Sequence, residues 1–122
     1  VVRRMVKDLL LPVEIVAVPT RRAADGLALS SRNRYLDAGQ RQVAAELHAC
    51  LRDIRRRLHE GAAAGPAIEA GRARLARAGF AVDYLALVEA ETLEPAAELA
   101  APARLIAAAR LGPVRLLDNL LV

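Results

Sequence analysis

Reactive and aromatic side chains are scarce in this sequence. Of 122 residues, one is cysteine (Cys50), two are histidine, none is tryptophan, and aromatics make up only 2%. A single thiol excludes an internal disulfide and suits a reducing compartment. So few rings leave little for bases to stack on, and no recognised nucleic-acid motif accompanies the basic charge. There is no Gly-x-x-x-x-Gly-Lys-Ser phosphate loop and no zinc-ligand spacing, so no metal site is expected. No apolar run approaches the ~18 residues of a membrane helix, and no secretory leader is evident. The expectation is a soluble, unexported, cytoplasmic protein with no membrane partner.

The hydrophobic fraction, 55%, is inflated by alanine, so the core must come from Leu, Val, Ile and Ala. The length amounts to one domain's worth of sequence, modest for an enzyme with several substrates. The chain starts at Val1 inside a helical pattern, from which a fragment is expected. Net charge is +4 and the pI near 10.2. The densest basic run, Arg55-Arg56-Arg57, points in directions about 100° apart on a helix. It therefore makes no single contact face and reads as solvated surface.

In chain order, Val2, Met5, Val6, Leu9 and Leu10 form a helical stripe that Leu11-Pro12 ends. Val13 to Val18 is nearly all apolar and reads as a strand buried on both faces. Asp37, with Gln40 three residues on, predicts a capping box. It opens a helix that carries Val43, Leu47, Cys50, Leu51, Ile54 and Leu58 to about Glu60. His48 and His59 read as structural, and Cys50 as a small buried hydrophobe. A second helix is expected from Pro66 to Ala78, with Gly79 as its stop and Gly71 permitting close approach. Phe80 to Val88 reads as a strand. Arg104 to Arg110 and Val114 to Val122 flank a hairpin loop at Leu111-Gly112-Pro113, although alanine weakens the strand pattern at 107–109. Asp83 and the scattered Glu89, Glu91, Glu94 and Glu98 read as surface. Asp118-Asn119 either bonds backbone in a turn or supports a binding site, and the pattern does not choose between them.

The chemistry concentrates in Asp25-Gly-Leu-Ala-Leu-Ser-Ser-Arg-Asn-Arg-Tyr-Leu36. Asp25-Gly26 is a turn signal. Ser30, Ser31, Arg32, Asn33 and Arg34 then put two hydroxyls, an amide and two guanidiniums side by side, a set suited to an oxyanion because guanidinium grips phosphate in bidentate fashion. This string resembles the nucleotide-binding loop of the pantoate:beta-alanine ligases, or pantothenate synthetases, of the nucleotidyltransferase superfamily. Val1-Val-Arg-Arg-Met-Val-Lys-Asp-Leu, Pro12-Val-Glu-Ile-Val-Ala-Val-Pro-Thr20, Val82-Asp-Tyr-Leu and Arg115-Leu-Leu-Asp-Asn119 resemble family segments in the same order. The family's paired-histidine motif and Gly-Glu-Lys-Asp segment do not occur in these residues.

The resemblance implies an α+β protein. Residues 1–36 would be the last helix and strand of a Rossmann-like domain with its Ser-Ser-Arg-Asn loop, and residues 37–122 a small domain of two helices and an antiparallel sheet. It implies an ATP-dependent ligase that condenses pantoate and beta-alanine through a pantoyl-adenylate, with Mg2+ accompanying ATP and a homodimer at full length. Ser30, Ser31 and Arg32 would stabilise the reacting phosphates. Arg21 and Leu29 would meet the nucleotide through backbone groups, although the family commonly has an apolar residue in place of Arg21. Asn33 and Arg34 would pin the loop. The 122 residues alone are expected to show no turnover. The alternative is a small basic module that binds a polyanion or a partner protein without catalysis.

Overall fold

The computed structural model describes residues 1–100 and 102–122. Helix α1 (Val2–Asp8) opens the chain, and a 3-10 turn (Ser31–Tyr35) precedes α2 (Ala38–Ala44), α3 (Glu46–His59) and α4 (Ala64–Ala78). Strands β1 (Ala81–Glu89), β2 (Ala103–Leu111) and β3 (Val114–Leu121) then form one antiparallel sheet in the order β1-β2-β3. The architecture is the expected α+β: helices on one face of a three-stranded meander.

The core lies between α3, α4 and the sheet. Leu47, Cys50, Leu51, Ile54 and Leu58 recur every three or four residues and form the buried stripe of α3. Across from it, α4 buries Ala64, Ala67, Gly71 and Leu75, and its backbone comes so close that a Cβ on Gly71 would lie 2.6 Å from Ile54 Cδ1. Leu105, Ala107, Ala109 and Leu111 alternate along β2 and join the same cluster. Small side chains at 107 and 109 give the helices room to sit low on the sheet, so packing overrides the weak strand propensity of alanine. Gly79, at φ +106°, closes α4 in the left-handed conformation expected of it. Gly112 (φ +55°) and Pro113 make the two-residue turn between β2 and β3.

Two expectations need correction. The helix read as continuous from Asp37 to Glu60 is broken at Ala45, where the i→i−4 ladder lapses between α2 and α3. The apolar stripe runs straight through that break, so periodicity could not reveal it. The strand read at Val13–Val18 is not formed: residues 14–20 carry no helix, strand or turn. Strand structure requires a ladder partner, and among the described residues none lies alongside. Val13, Val16 and Val18 are exposed, as are Val2 and Met5 of α1 and Leu9 just after it.

Candidate functional site

The polar loop is the end of a small hairpin laid against the edge of β3. Arg22 and Ala28 form an antiparallel bridge, with Ala23 N donating to Leu27 O (2.8 Å) and Leu29 N to Arg21 O (2.9 Å). Gly26 makes the turn at φ +95°. A Cβ there would meet the His48 ring at 2.6 Å, so the turn requires glycine for space as well as for φ. Asp25 accepts from Leu27 N and pairs with Arg41 Nη1 at 2.6 Å, and that guanidinium holds its carboxyl below the usual carboxylate range. Leu27 anchors the hairpin in the core.

Beyond the hairpin the chain turns into the 3-10 segment. Ser30 caps it, its Oγ accepting from Arg32 N at 3.2 Å, and Asn33 Nδ2 donates to Ala28 O at 3.0 Å. Asn33 therefore pins the loop, as expected. Arg34 turns aside: its guanidinium lies over the Tyr35 ring at 4.9 Å and donates to the Tyr35 hydroxyl. The Asp37–Gln40 capping box is formed and starts α2 immediately afterwards.

The residues singled out for nucleotide binding are exposed along this run. Leu29, Ser30 and Arg32 line a cleft of about 300 Å³ together with Thr20, Asn33, His48 and Asp118. Ser31 and Arg21 are exposed beside them but do not line it. Among the described residues, the Arg32 guanidinium has no carboxylate or carbonyl partner, and neither the Arg21 N–H nor the Leu29 C=O is bonded to protein. The Arg32 guanidinium and the Ser30 hydroxyl on this rim, with the Ser31 hydroxyl exposed beside it, can receive an anion.

Residue order offers Asp118-Asn119 as a candidate support for a binding site but does not single out Arg22, which lies beneath. Arg22 spans the hairpin: its two terminal nitrogens contact Asp118 at 2.7 and 2.8 Å, Gly26 O at 3.1 Å and Asn119 O at 3.3 Å. The Asp118 side chain is only 3% exposed. A signal was present: Val114, Leu116, Asp118 and Leu120 share one face of β3, so alternation alone puts a carboxylate on the buried face. Such a carboxylate needs a cation.

His48, from α3, completes this cluster, with Nδ1 3.5 Å from Asp118 Oδ2. Its pKa lies below the ordinary 6.5, chiefly because burial disfavours the cation and the Arg22 guanidinium repels it, against a weaker pull from Asp118. As pH falls, the unfolded chain therefore takes up this proton before the folded one does. Stability linked to His48 is intact above about 6.5 and is lost as pH drops through that value towards the folded pKa. Urea midpoints measured from pH 7.5 downwards are expected to decline in that window, and His48→Gln to flatten the decline. A midpoint indifferent to pH there in the parent chain would contradict this account of the cluster.

Elsewhere several charges are paired. Arg56 and Arg57 both contact Asp53, and Arg56 also contacts Glu60, so the basic run on α3 is mostly balanced in place. Asp83 takes Arg115 at 2.7 Å and Arg110 at 3.7 Å, which holds its pKa down. Cys50 is buried against Gly71 O, and burial pushes its thiol pKa up. Among the described residues no group of three His, Cys, Asp or Glu side chains could hold a metal ion, and no helix is long and apolar enough to cross a membrane.

A family model described as pantoate-beta-alanine ligase matches residues 1–121. The pantothenate synthetase of Acidiphilium cryptum is 57% identical over 125 residues, and that of Rhizorhabdus wittichii 53% over 123. Each alignment takes in 100% of this chain and 44% of the relative. The crystal structure of pantothenate synthetase from Thermus thermophilus superposes with a TM-score of 0.91 at 48% identity, covering 98% of this chain and 44% of that one. A pantoate-beta-alanine ligase from Francisella tularensis, complexed with beta-gamma ATP and beta-alanine, superposes with a TM-score of 0.69 at 25% identity. This chain thus spans less than half the length of the relatives it matches.

Proposed function

This chain belongs to the pantoate-beta-alanine ligase family, and on that premise we propose that it supplies the nucleotide-binding loop of an ATP-dependent ligase joining pantoate to beta-alanine. In this reaction the pantoate carboxylate attacks the α-phosphorus of ATP and pyrophosphate departs. The beta-alanine amine then attacks the acyl carbon, AMP leaves, and pantothenate is formed. Protein groups help by offsetting charge that builds on the phosphate oxygens as the leaving bond breaks.

Arg32, Ser30 and Ser31 take that task, and the Arg21 and Leu29 main chain meets the base. The observation that carries the assignment is the unpaired Arg32 guanidinium on a cleft rim it shares with Ser30 and Leu29. A main-chain contact tolerates arginine at position 21, because it uses the Arg21 N–H and not the side chain. On this reading Mg2+ would accompany ATP, held by the triphosphate oxygens, and would offset their charge. Assembly as a homodimer and a cytoplasmic setting belong to the same reading. Since the paired-histidine and Gly-Glu-Lys-Asp segments are not among these 122 residues, the chain by itself is expected to release no pyrophosphate from ATP and pantoate.

The test is an ATP titration followed at backbone amides, run beside a DNA duplex titration at two salt concentrations. ATP is expected to shift the Ser30, Ser31 and Arg32 amides, and any duplex binding to fade as salt rises. Amides at 30–32 indifferent to ATP, together with duplex binding that survives salt, would replace the ligase reading with that of a polyanion-binding module.

A further inference from the structure

Register shows how the hairpin meets the sheet. Just past β3, Val122 N donates to Ala103 O, and within it Val114 pairs with Leu111 across the turn. Even-numbered residues of the strand therefore turn their main-chain groups towards β2, while Arg115, Leu117 and Asn119 turn theirs to the open edge. At Asn119 both outward groups are taken: its N–H donates to Asp118 Oδ1 at 2.7 Å, and its C=O accepts from Arg22 at 3.3 Å. The same guanidinium holds the Gly26 carbonyl in the hairpin turn. One largely buried ion pair thus satisfies the sheet edge at Asn119 and ties the hairpin to it, while the His48 ring backs Gly26 from α3.

We propose that Arg22 and Asp118 are positioning residues, whose buried pair locks the Ser30-Ser31-Arg32 loop onto the edge of β3 so that the loop moves as one body with the sheet and α3. The hairpin is also tied by Leu27 in the core and by Asp25 to Arg41 of α2, and the loop itself by a serine cap, one Asn33 contact and a short 3-10 turn; among these hydrogen-bonded ties Arg22–Asp118 is the one that reaches β3. Residues 14–20, on the other side of the hairpin, carry no secondary structure that would hold it. On this proposal the orientation of Arg32 depends on β3 through Arg22, alongside the Leu27 and Arg41 anchors of the hairpin. The consequence for ATP rests on the function proposed above, whereas the locking itself does not.

Amide hydrogen exchange of the 122-residue chain without nucleotide tests the lock. In Asp118→Asn, the Leu29 and Asn33 amides are expected to exchange at least about tenfold faster, while core amides such as Leu51 and Leu105 keep their rates. Arg22→Lys keeps the charge but loses the fork, so it should fall between parent and Asp118→Asn. Loop amides unchanged in both variants would overturn the proposal. So would equal acceleration everywhere in both, because the pair would then be supporting the whole domain and not the loop. The second arm repeats the ATP titration with both variants, in which Arg32 is intact, and weaker ATP binding is expected to track the loosened loop. If the loop loosens while the parent chain shows no response to ATP, the lock stands and the nucleotide assignment fails.

Discussion

Arg32→Ala, in a ligase that carries this chain, is expected to slow acyl-adenylate formation on the order of 100-fold, the usual loss when one preorganised donor to a developing negative charge is removed. That factor corresponds to about 2.7 kcal/mol of transition-state stabilisation. The size follows from what Arg32 does not do. Among the described residues its side chain makes no hydrogen bond or ion pair that holds the loop: the backbone is kept by the Ser30 cap, the Asn33–Ala28 bond and the Arg22–Asp118 pair. Truncation therefore removes a guanidinium and leaves its surroundings in place, so the loss should appear in the adenylation step and little in the melting temperature. Arg32→Lys should recover only part of the rate, since an ammonium carries the charge without the two parallel donors. Single-turnover measurement of the pantoyl-adenylate burst decides the matter. A burst of unchanged rate in Arg32→Ala would remove this residue from the site.

The contrast between Arg32 and Arg22 shows which parts of the site could be read from residue order. Ser30, Ser31 and Arg32 can be proposed from residue order because their chemistry is local, and the loop resembles a known string. Arg22 has the same side chain as Arg21 beside it, yet one guanidinium is exposed and the other is committed to a carboxylate at position 118. That pairing depends on sheet register, which a linear pattern carries only as the alternation through Val114, Leu116 and Asp118. The fold divides in the same way. The stripe of α3, the stop at Gly79 and the turn at Gly112-Pro113 follow from short-range rules and are where they were expected. The run at Val13–Val18 has the composition of a buried strand, but composition cannot provide a partner. Without one among the described residues, its valines stand exposed.

Leu51→Ala is expected to destabilise the chain by about 2–5 kcal/mol, with the result towards the upper end. Leu51 is fully buried in the middle of α3. The range reflects how far neighbours can move into the space left behind, and here they have little freedom. α4 already approaches α3 as closely as a glycine allows, with Ile54 and Cys50 against Gly71, and the alanines of β2 have no longer side chains to swing inward. Most of the cavity should remain open. Against a total stability of roughly 5–15 kcal/mol for a domain of ordinary size, such a loss is large. At about 4–8 °C per kcal/mol for a domain of 60–100 residues, it should lower the melting temperature by more than about 8 °C. A urea titration that puts the loss below about 1 kcal/mol would mean that the helices relax into the gap, contrary to the close contact at Gly71. The same core supports the loop: Leu27 reaches it directly, and Asp118 stands on β3 between Leu116 and Leu120, which pack on it. Loosening at Leu51 should therefore raise exchange at Leu29 and Asn33 only as far as global unfolding does, unlike the loop-confined effect expected from Asp118→Asn.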